Sequence, residues 1–176
     1  MAKDILNATK MLDRLQRFDV PLRVYEKSVP ESWTDFNGHM NEAHYLECFS
    51  NASDALMQLI GCDEAYIAAG KSYFTVETHI CHLDEVRAGE AIYVVTQVLD
   101  GSGKKLHLFH SLYRETANGE DDLLATGEQM LLHVDLSSRK TCPPEGELAE
   151  ALRVLCENQS RIPNPKMAGR AIGKKL

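Results

Sequence analysis

Apolar positions follow two periods along this chain, and the change from one to the other divides it. Ala43, Leu46, Phe49, Ala52, Leu56, Leu59 and Ile60 recur every three or four residues, the spacing that keeps side chains on one stripe of a helix. Asn41 stands where a cap can accept a free N–H, Glu42 suits the positive first turn, and Gly61 closes the run where a left-handed residue is wanted. The pattern predicts one long helix of about 20 residues, with an apolar stripe broad enough that something wraps around it. Beyond it the period drops to two. Ser72–Leu83, Ala91–Leu99, Lys104–Glu115 and Leu123–Val134 predict four strands, the third alternating Leu106, Leu108, His110 and Leu112. Gly101-Ser102-Gly103 and Ala117-Asn118-Gly119 read as hairpin turns between the last three. Gly127, inside the last strand, predicts a bulge or a close backbone approach.

Before the helix, Val20, Leu22 and Val24 alternate and predict a first strand, with Pro21 at its start where a missing N–H is tolerable. Residues 4–18 carry Ile5, Leu6, Met11, Leu12 and Leu15 at amphipathic spacing, which predicts a short helix for packing or a subunit contact. Residues 63–69 read as a helical turn, Glu147–Glu157 as a last amphipathic helix, and Arg161–Leu176 as a basic arm or tail. The layout is α+β, an antiparallel five-stranded sheet around one long central helix. The expected division is an N-terminal helical extension over 1–19, the main domain over 20–136, and a C-terminal helix and basic tail over 137–176.

Charge and cysteine usage narrow the function classes. A net charge of −7 argues against wrapping nucleic acid or lying on an anionic membrane. Five scattered cysteines with no C-x-x-C pair fit reduced thiols in a cytoplasm. No apolar stretch approaches a membrane span, and the N-terminus lacks a signal-peptide core. A cytoplasmic globular protein is expected.

Candidate chemistry concentrates in Trp33–Tyr45, W-T-D-F-N-G-H-M-N-E-A-H-Y. Asp35 is a carboxylate just ahead of a helix start, and helix starts present free N–H groups that polarise carbonyls and hold anions. That pairing suits attack on a carbonyl, with Trp33 and Phe36 able to exclude water. The same residues have structural uses: Asp35 and Asn37 can build an Asx turn, and Asn41 can simply cap. His39 could orient a substrate or hold the loop. Glu77, His79 and Cys81 share one strand face, but no second ligand pair accompanies them, so no metal is expected. His107 and His110 fall on opposite faces of their strand and read as packing or surface. The serine-hydrolase elbow, the phosphate loop and the dinucleotide fingerprint are missing from the sequence.

The loop Asp35-Phe36-Asn37-Gly38-His39-Met40-Asn41, the long helix behind it and the four-strand remainder resemble the hotdog-fold acyl-CoA thioesterases of the 4-hydroxybenzoyl-CoA type over roughly residues 20–135. Ser72–Ile80, Leu106–His110 and Ala125–Asp135 narrow the likeness to the carnitine-dehydrogenase-associated betainyl-CoA thioesterases. The resemblance implies hydrolysis of a small acyl-CoA, betainyl-CoA first, with another short or aromatic acyl-CoA or a non-catalytic acyl-thioester-binding module as alternatives. It implies a homodimer or dimer of dimers with sites at the subunit interface, and no cofactor beyond the CoA of the substrate. Asp35 becomes nucleophile or general base, and backbone N–H groups around Gly38, His39, Met40 and Asn41 polarise the thioester. Glu42 stands where the family often carries a second asparagine. A trimethylammonium acyl group wants aromatic faces and a carboxylate. Trp33, Tyr45, Tyr73, Phe74 and Glu77 are the candidate pocket, with Tyr66 and Glu47 as further options. Arg87, Lys104, Lys105 and Arg139 are candidates for the CoA phosphates.

Overall fold

The computed structural model describes residues 19–173, so the helix expected over 4–18 lies outside the described residues. Its elements run β1 (Leu22–Ser28), α1 (Glu42–Ile60), α2 (Glu64–Ala68), β2 (Lys71–His82), β3 (Ala91–Asp100), β4 (Lys105–Arg114), β5 (Asp122–Asp135), β6 (Lys140–Thr141) and α3 (Gly146–Gln159). The sheet is antiparallel in the order β1-β3-β4-β5-β2, and the two-residue β6, not expected from sequence, adds to β5. Both hairpins between β3, β4 and β5 form where the turn residues stand.

The long helix forms with the expected bounds. Asn41 caps it, its side chain accepting the Ala43 N–H, and Gly61 ends it at φ 97°. The buried stripe is rotated from the expected one. Tyr45, Cys48, Phe49, Ala52, Ser53, Leu56 and Ile60 face the sheet, whereas Ala43 is exposed and Leu46 is 44% exposed. The i, i+3, i+4 rows of α1 contain two apolar sets, and the sheet covers only one. The sheet therefore cradles a face of α1, and the flank carrying Leu46 stays open.

Two apolar clusters sit under the helix. One joins its N-terminal half to Val29, Trp33, Met40, Val86, Ile92, Val94, Leu112 and Leu124, and the other joins its C-terminal half to Tyr73, Leu106, Leu108, Leu131 and α3. Between them lies a polar knot. Ser53 Oγ donates to Gln129 Oε1 at 2.7 Å, His110 Nε2 lies 3.0 Å from Ser53 Oγ, and His110 Nδ1 lies 2.8 Å from Thr96 Oγ1. One neutral tautomer satisfies the set, with Nε2–H donating to Ser53 and Nδ1 accepting from Thr96. Burial of the imidazole pushes the His110 pKa down to about 4. His107, on the other face, pairs with Glu128 at 2.7 Å, so the opposite-face expectation for these histidines holds. Gly127 sits opposite His110 and Ile80, where a Cβ would lie 2.5 Å from Phe49 Cδ2, so the helix approaches the sheet through the missing side chain.

After α3 the chain is an arm laid across the outer sheet face. The Pro163 carbonyl accepts from Gln97 Nε2 at 3.4 Å, and the Gly169 N–H donates to Glu128 Oε2 at 2.7 Å. Strand β2 remains an edge, with Phe74 52% and Val76 56% exposed.

Candidate active site

The loop between β1 and α1 is shaped by its own hydrogen bonds. A single 3-10 turn, Glu31–Trp33, swings the chain round, and Thr34 then pairs with Met40 as an antiparallel bridge. Inside that pinch the Asp35 N–H donates to the His39 carbonyl at 2.9 Å and the Gly38 N–H to the Asp35 carbonyl at 3.0 Å. Gly38 has φ 77°, which a glycine adopts without strain. The Asp35 carboxylate folds back over this turn, Oδ1 accepting the Asn37 N–H at 2.8 Å and Oδ2 the Asn37 side-chain amide at 3.4 Å. The Asx turn and the Asn41 cap open to the sequence are both present. These donors, the Asn37 N–H first, hold the Asp35 carboxyl below the ordinary aspartate range, and the His39 N–H adds to them. Asp35 is therefore an ionised, partly exposed carboxylate held in one place.

The helix start is fixed just as tightly. The Asn41 N–H donates to the Trp33 carbonyl at 2.8 Å, and the Met40 N–H to the Val86 carbonyl at 2.8 Å. Of the expected carbonyl-polarising donors, Gly38, Met40 and Asn41 thus spend their N–H groups on the Asp35, Val86 and Trp33 carbonyls. The Ala43 N–H goes to the Asn41 cap at 3.0 Å. Among the described residues, the Glu42 N–H at the first position of α1 meets no acceptor. Sequence rules point to the first turn as a whole, and only the loop's own pairing singles out Glu42.

The expected aromatic pocket does not assemble around Asp35. Trp33 is buried, its ring stacked on His44 at 4.5 Å between centroids and carrying the Lys27 ammonium at 4.7 Å. Tyr45 is buried beside His82, its hydroxyl donating to the Asp84 carbonyl at 3.2 Å. Tyr73 belongs to the cluster at the other end of α1, edge-on to His133, and its buried hydroxyl meets no partner among the described residues. Tyr66 is at that same end, with its hydroxyl 2.8 Å from His133 Nε2. Phe74 lies on the open β2 edge. Glu77 lines a cleft of about 270 Å³ with His79, His107, Glu128, Met130, Gly169 and Arg170, none of them from the Asp35 loop. Glu47 is close to the helix start, paired with His44 at 2.8 Å. Among the described residues no cluster of His, Cys, Asp and Glu could hold a metal ion.

Of the basic candidates, Arg87 follows Val86, whose carbonyl anchors Met40, and so stands beside the loop. Lys104 bonds Thr141 at 2.8 Å, and with Lys105 and Arg139 it belongs to the sheet end that β6 joins. What the loop offers is an ionised carboxylate, an open helix-start N–H seven residues further on, and two cations nearby, Lys27 on the Trp33 ring and Arg87 after Val86. Such a set can attack, or activate water against, a polarised acyl carbon.

Comparison with known proteins gives the family. The model of the thioesterase-like superfamily matches residues 29–152. A protein of Ruegeria pomeroyi named L-carnitine dehydrogenase/betainyl-CoA thioesterase is 53% identical over 154 residues, 88% of this chain but 31% of that protein. The chain thus spans about a third of that relative's length. The betainyl-CoA thioesterase of Pseudomonas aeruginosa is 43% identical over 153 residues, which cover 86% of this chain and 94% of the relative. A crystal structure described as a thioesterase from Pseudomonas putida superposes with a TM-score of 0.74 at 39% identity, covering 89% of this chain and 99% of that one.

Proposed function

Because this chain belongs to the thioesterase-like superfamily, we propose that it hydrolyses a small acyl-CoA thioester, betainyl-CoA, to betaine and free CoA. The observation that carries this reading is the Asp35 carboxylate, ionised and held by its Asx turn in the loop that leads into a helix start whose Glu42 N–H is open. The Glu42 N–H, reinforced by the positive end of α1, stabilises the oxyanion that develops on the thioester oxygen. Either Asp35 attacks the carbonyl carbon and expels the CoA thiolate, leaving an anhydride that water then hydrolyses to betaine and the free carboxylate, or Asp35 draws a proton from a water that attacks the carbon and expels the thiolate. Gly38 to Asn41 act by keeping carboxylate and helix start in register. No cofactor enters, since CoA is part of the substrate. The betainyl assignment draws on the names of the relatives and on the charge of the loop.

The active unit in this reading is a homodimer joined along β2. A twelve-residue edge bearing exposed Phe74 and Val76 invites a second copy of itself, and leaving it bare is an aggregation hazard. Phe74 and Glu77 would then stand at the subunit boundary. Five free thiols and no helix among the described residues able to cross a membrane fit work in a reducing cytoplasm. The test is Asp35→Ala and Asp35→Asn with CoA thiol release from betainyl-CoA as readout. Loss of a group of this kind costs ~10²-fold or more in kcat. Turnover near wild type in both variants would end the proposal.

A further inference from the structure

In a betainyl thioester the quaternary nitrogen is only two bonds from the carbon under attack, so whatever recognises the cation must stand beside the attacking carboxylate. We infer that Phe36 is that recognition surface and sets the preference for a cationic acyl group; the inference rests on the betainyl reading above. The ring follows Asp35 directly and sits at the corner of the turn that the Gly38 N–H closes on the Asp35 carbonyl at 3.0 Å. It is 97% exposed although the turn beneath it is pinned by the Thr34–Met40 bridge. A loop this constrained presents the ring in a restricted region, with no packing partner of its own.

The other candidate rings are buried, engaged or away from the loop, Phe74 lying on the open β2 edge. Trp33 already carries Lys27 and His44, Tyr45 is buried, and Tyr73 is at the far end of the helix. Charge points the same way. Residues 31–47 contain Glu31, Asp35, Glu42 and Glu47 but no Lys or Arg; against these four carboxylates stand Lys27, seated on the Trp33 ring, and Arg87 beside the loop, so carboxylates still outnumber cations around the turn. A quaternary ammonium on an aromatic face gains most when it cannot donate hydrogen bonds and is easily desolvated.

The experiment compares kcat/KM for betainyl-CoA with that for its uncharged isostere, 3,3-dimethylbutanoyl-CoA, in wild type, Phe36→Leu and Phe36→Trp. Leu keeps apolar bulk and removes the π face, and at an exposed position it does not threaten the fold. We expect Phe36→Leu to lose about five- to thirty-fold on betainyl-CoA, to stay within about two-fold of wild type on the isostere, and Phe36→Trp to restore the betainyl rate. Equal losses on both substrates would make Phe36 a water seal, and no loss on either would make it idle; both overturn the inference. Dissociation of the Phe36→Leu protein on a sizing column, with both activities lost, would assign the ring to a subunit contact and overturn it too. A wild-type enzyme that cleaves the isostere and spares betainyl-CoA would instead refute the substrate reading, a failure visible before any variant is made.

Discussion

Gly127 is the point where the central helix comes closest to the sheet, and Gly127→Ala tests that approach directly. The new Cβ would fall 2.5, 2.8 and 2.9 Å from Phe49 Cδ2, Cε2 and Cγ, whereas carbon contacts are comfortable only near ~3.5–4.0 Å. The ring must retreat by about an ångström, and it has nowhere to go. Phe49 is fully buried and stacked 5.6 Å from the His110 imidazole, which is itself buried and held by Thr96 at 2.8 Å and Ser53 at 3.0 Å. Overpacking of this kind costs ~1–3 kcal/mol. Replacing a strand glycine returns ~0.5–1 kcal/mol through lost unfolded-state freedom. The net expectation is a destabilisation of up to ~2.5 kcal/mol, centred near ~1 kcal/mol, or at that centre a melting temperature lower by ~2–4 °C for a chain of this size. Urea unfolding monitored by circular dichroism reads it, with the Phe49→Leu background as control. Once the ring is shortened, the glycine substitution should cost at least ~0.5 kcal/mol less than in wild type. A Gly127→Ala protein as stable as wild type, with its effect simply additive to Phe49→Leu, would refute the close-approach argument. Phe49 lies about two helical turns from Glu42, so kcat should also fall if the ring pushes α1 off the sheet.

Three further outcomes follow from the same structure. His110 is neutral in the fold with its pKa depressed to about 4 from an unfolded value near ~6.5; its contribution is therefore complete above ~6.5 and is lost as pH falls toward 4, at up to ~1.4 kcal/mol per pH unit. Urea titrations from pH 7 to 4.5 should show that loss in wild type and a flatter profile in His110→Gln, and parallel profiles would exclude His110 as the source. Asn41→Ala removes the acceptor of the Ala43 N–H and should cost ~1 kcal/mol of stability together with a fall in kcat larger than any rise in KM, measured by thiol release; unchanged kcat would mean the helix start does not depend on its cap. Val76→Lys places a charge on the exposed β2 edge and should shift the protein toward monomer in sedimentation experiments, while an unchanged dimer would move the subunit contact elsewhere.

The sequence alone determined which segments are helix and strand, the two-residue β6 excepted, because those choices are local. Period, turn residues and caps specify α1, the four later strands and both hairpins, and they place Asp35 one short loop ahead of a helix start. Gly127 also announced itself, since a glycine inside a strand needs a reason. The tertiary structure decided what depends on which surfaces meet. Two apolar rows run along α1, and only docking on the sheet selects the row through Tyr45, Cys48 and Ser53 over the one through Ala43 and Leu46. Tyrosines that look equally available along the chain separate to opposite ends of the helix, Tyr45 near the loop and Tyr73 far from it. The Glu42 N–H emerges only after the Gly38, Met40, Asn41 and Ala43 donors have found their acceptors, an accounting that no spacing rule performs. Phe36 changes from one ring among many to the exposed ring beside the carboxylate for the same reason. Local chemistry writes the elements, and competition for partners and for space in the folded chain decides which of their groups are left free.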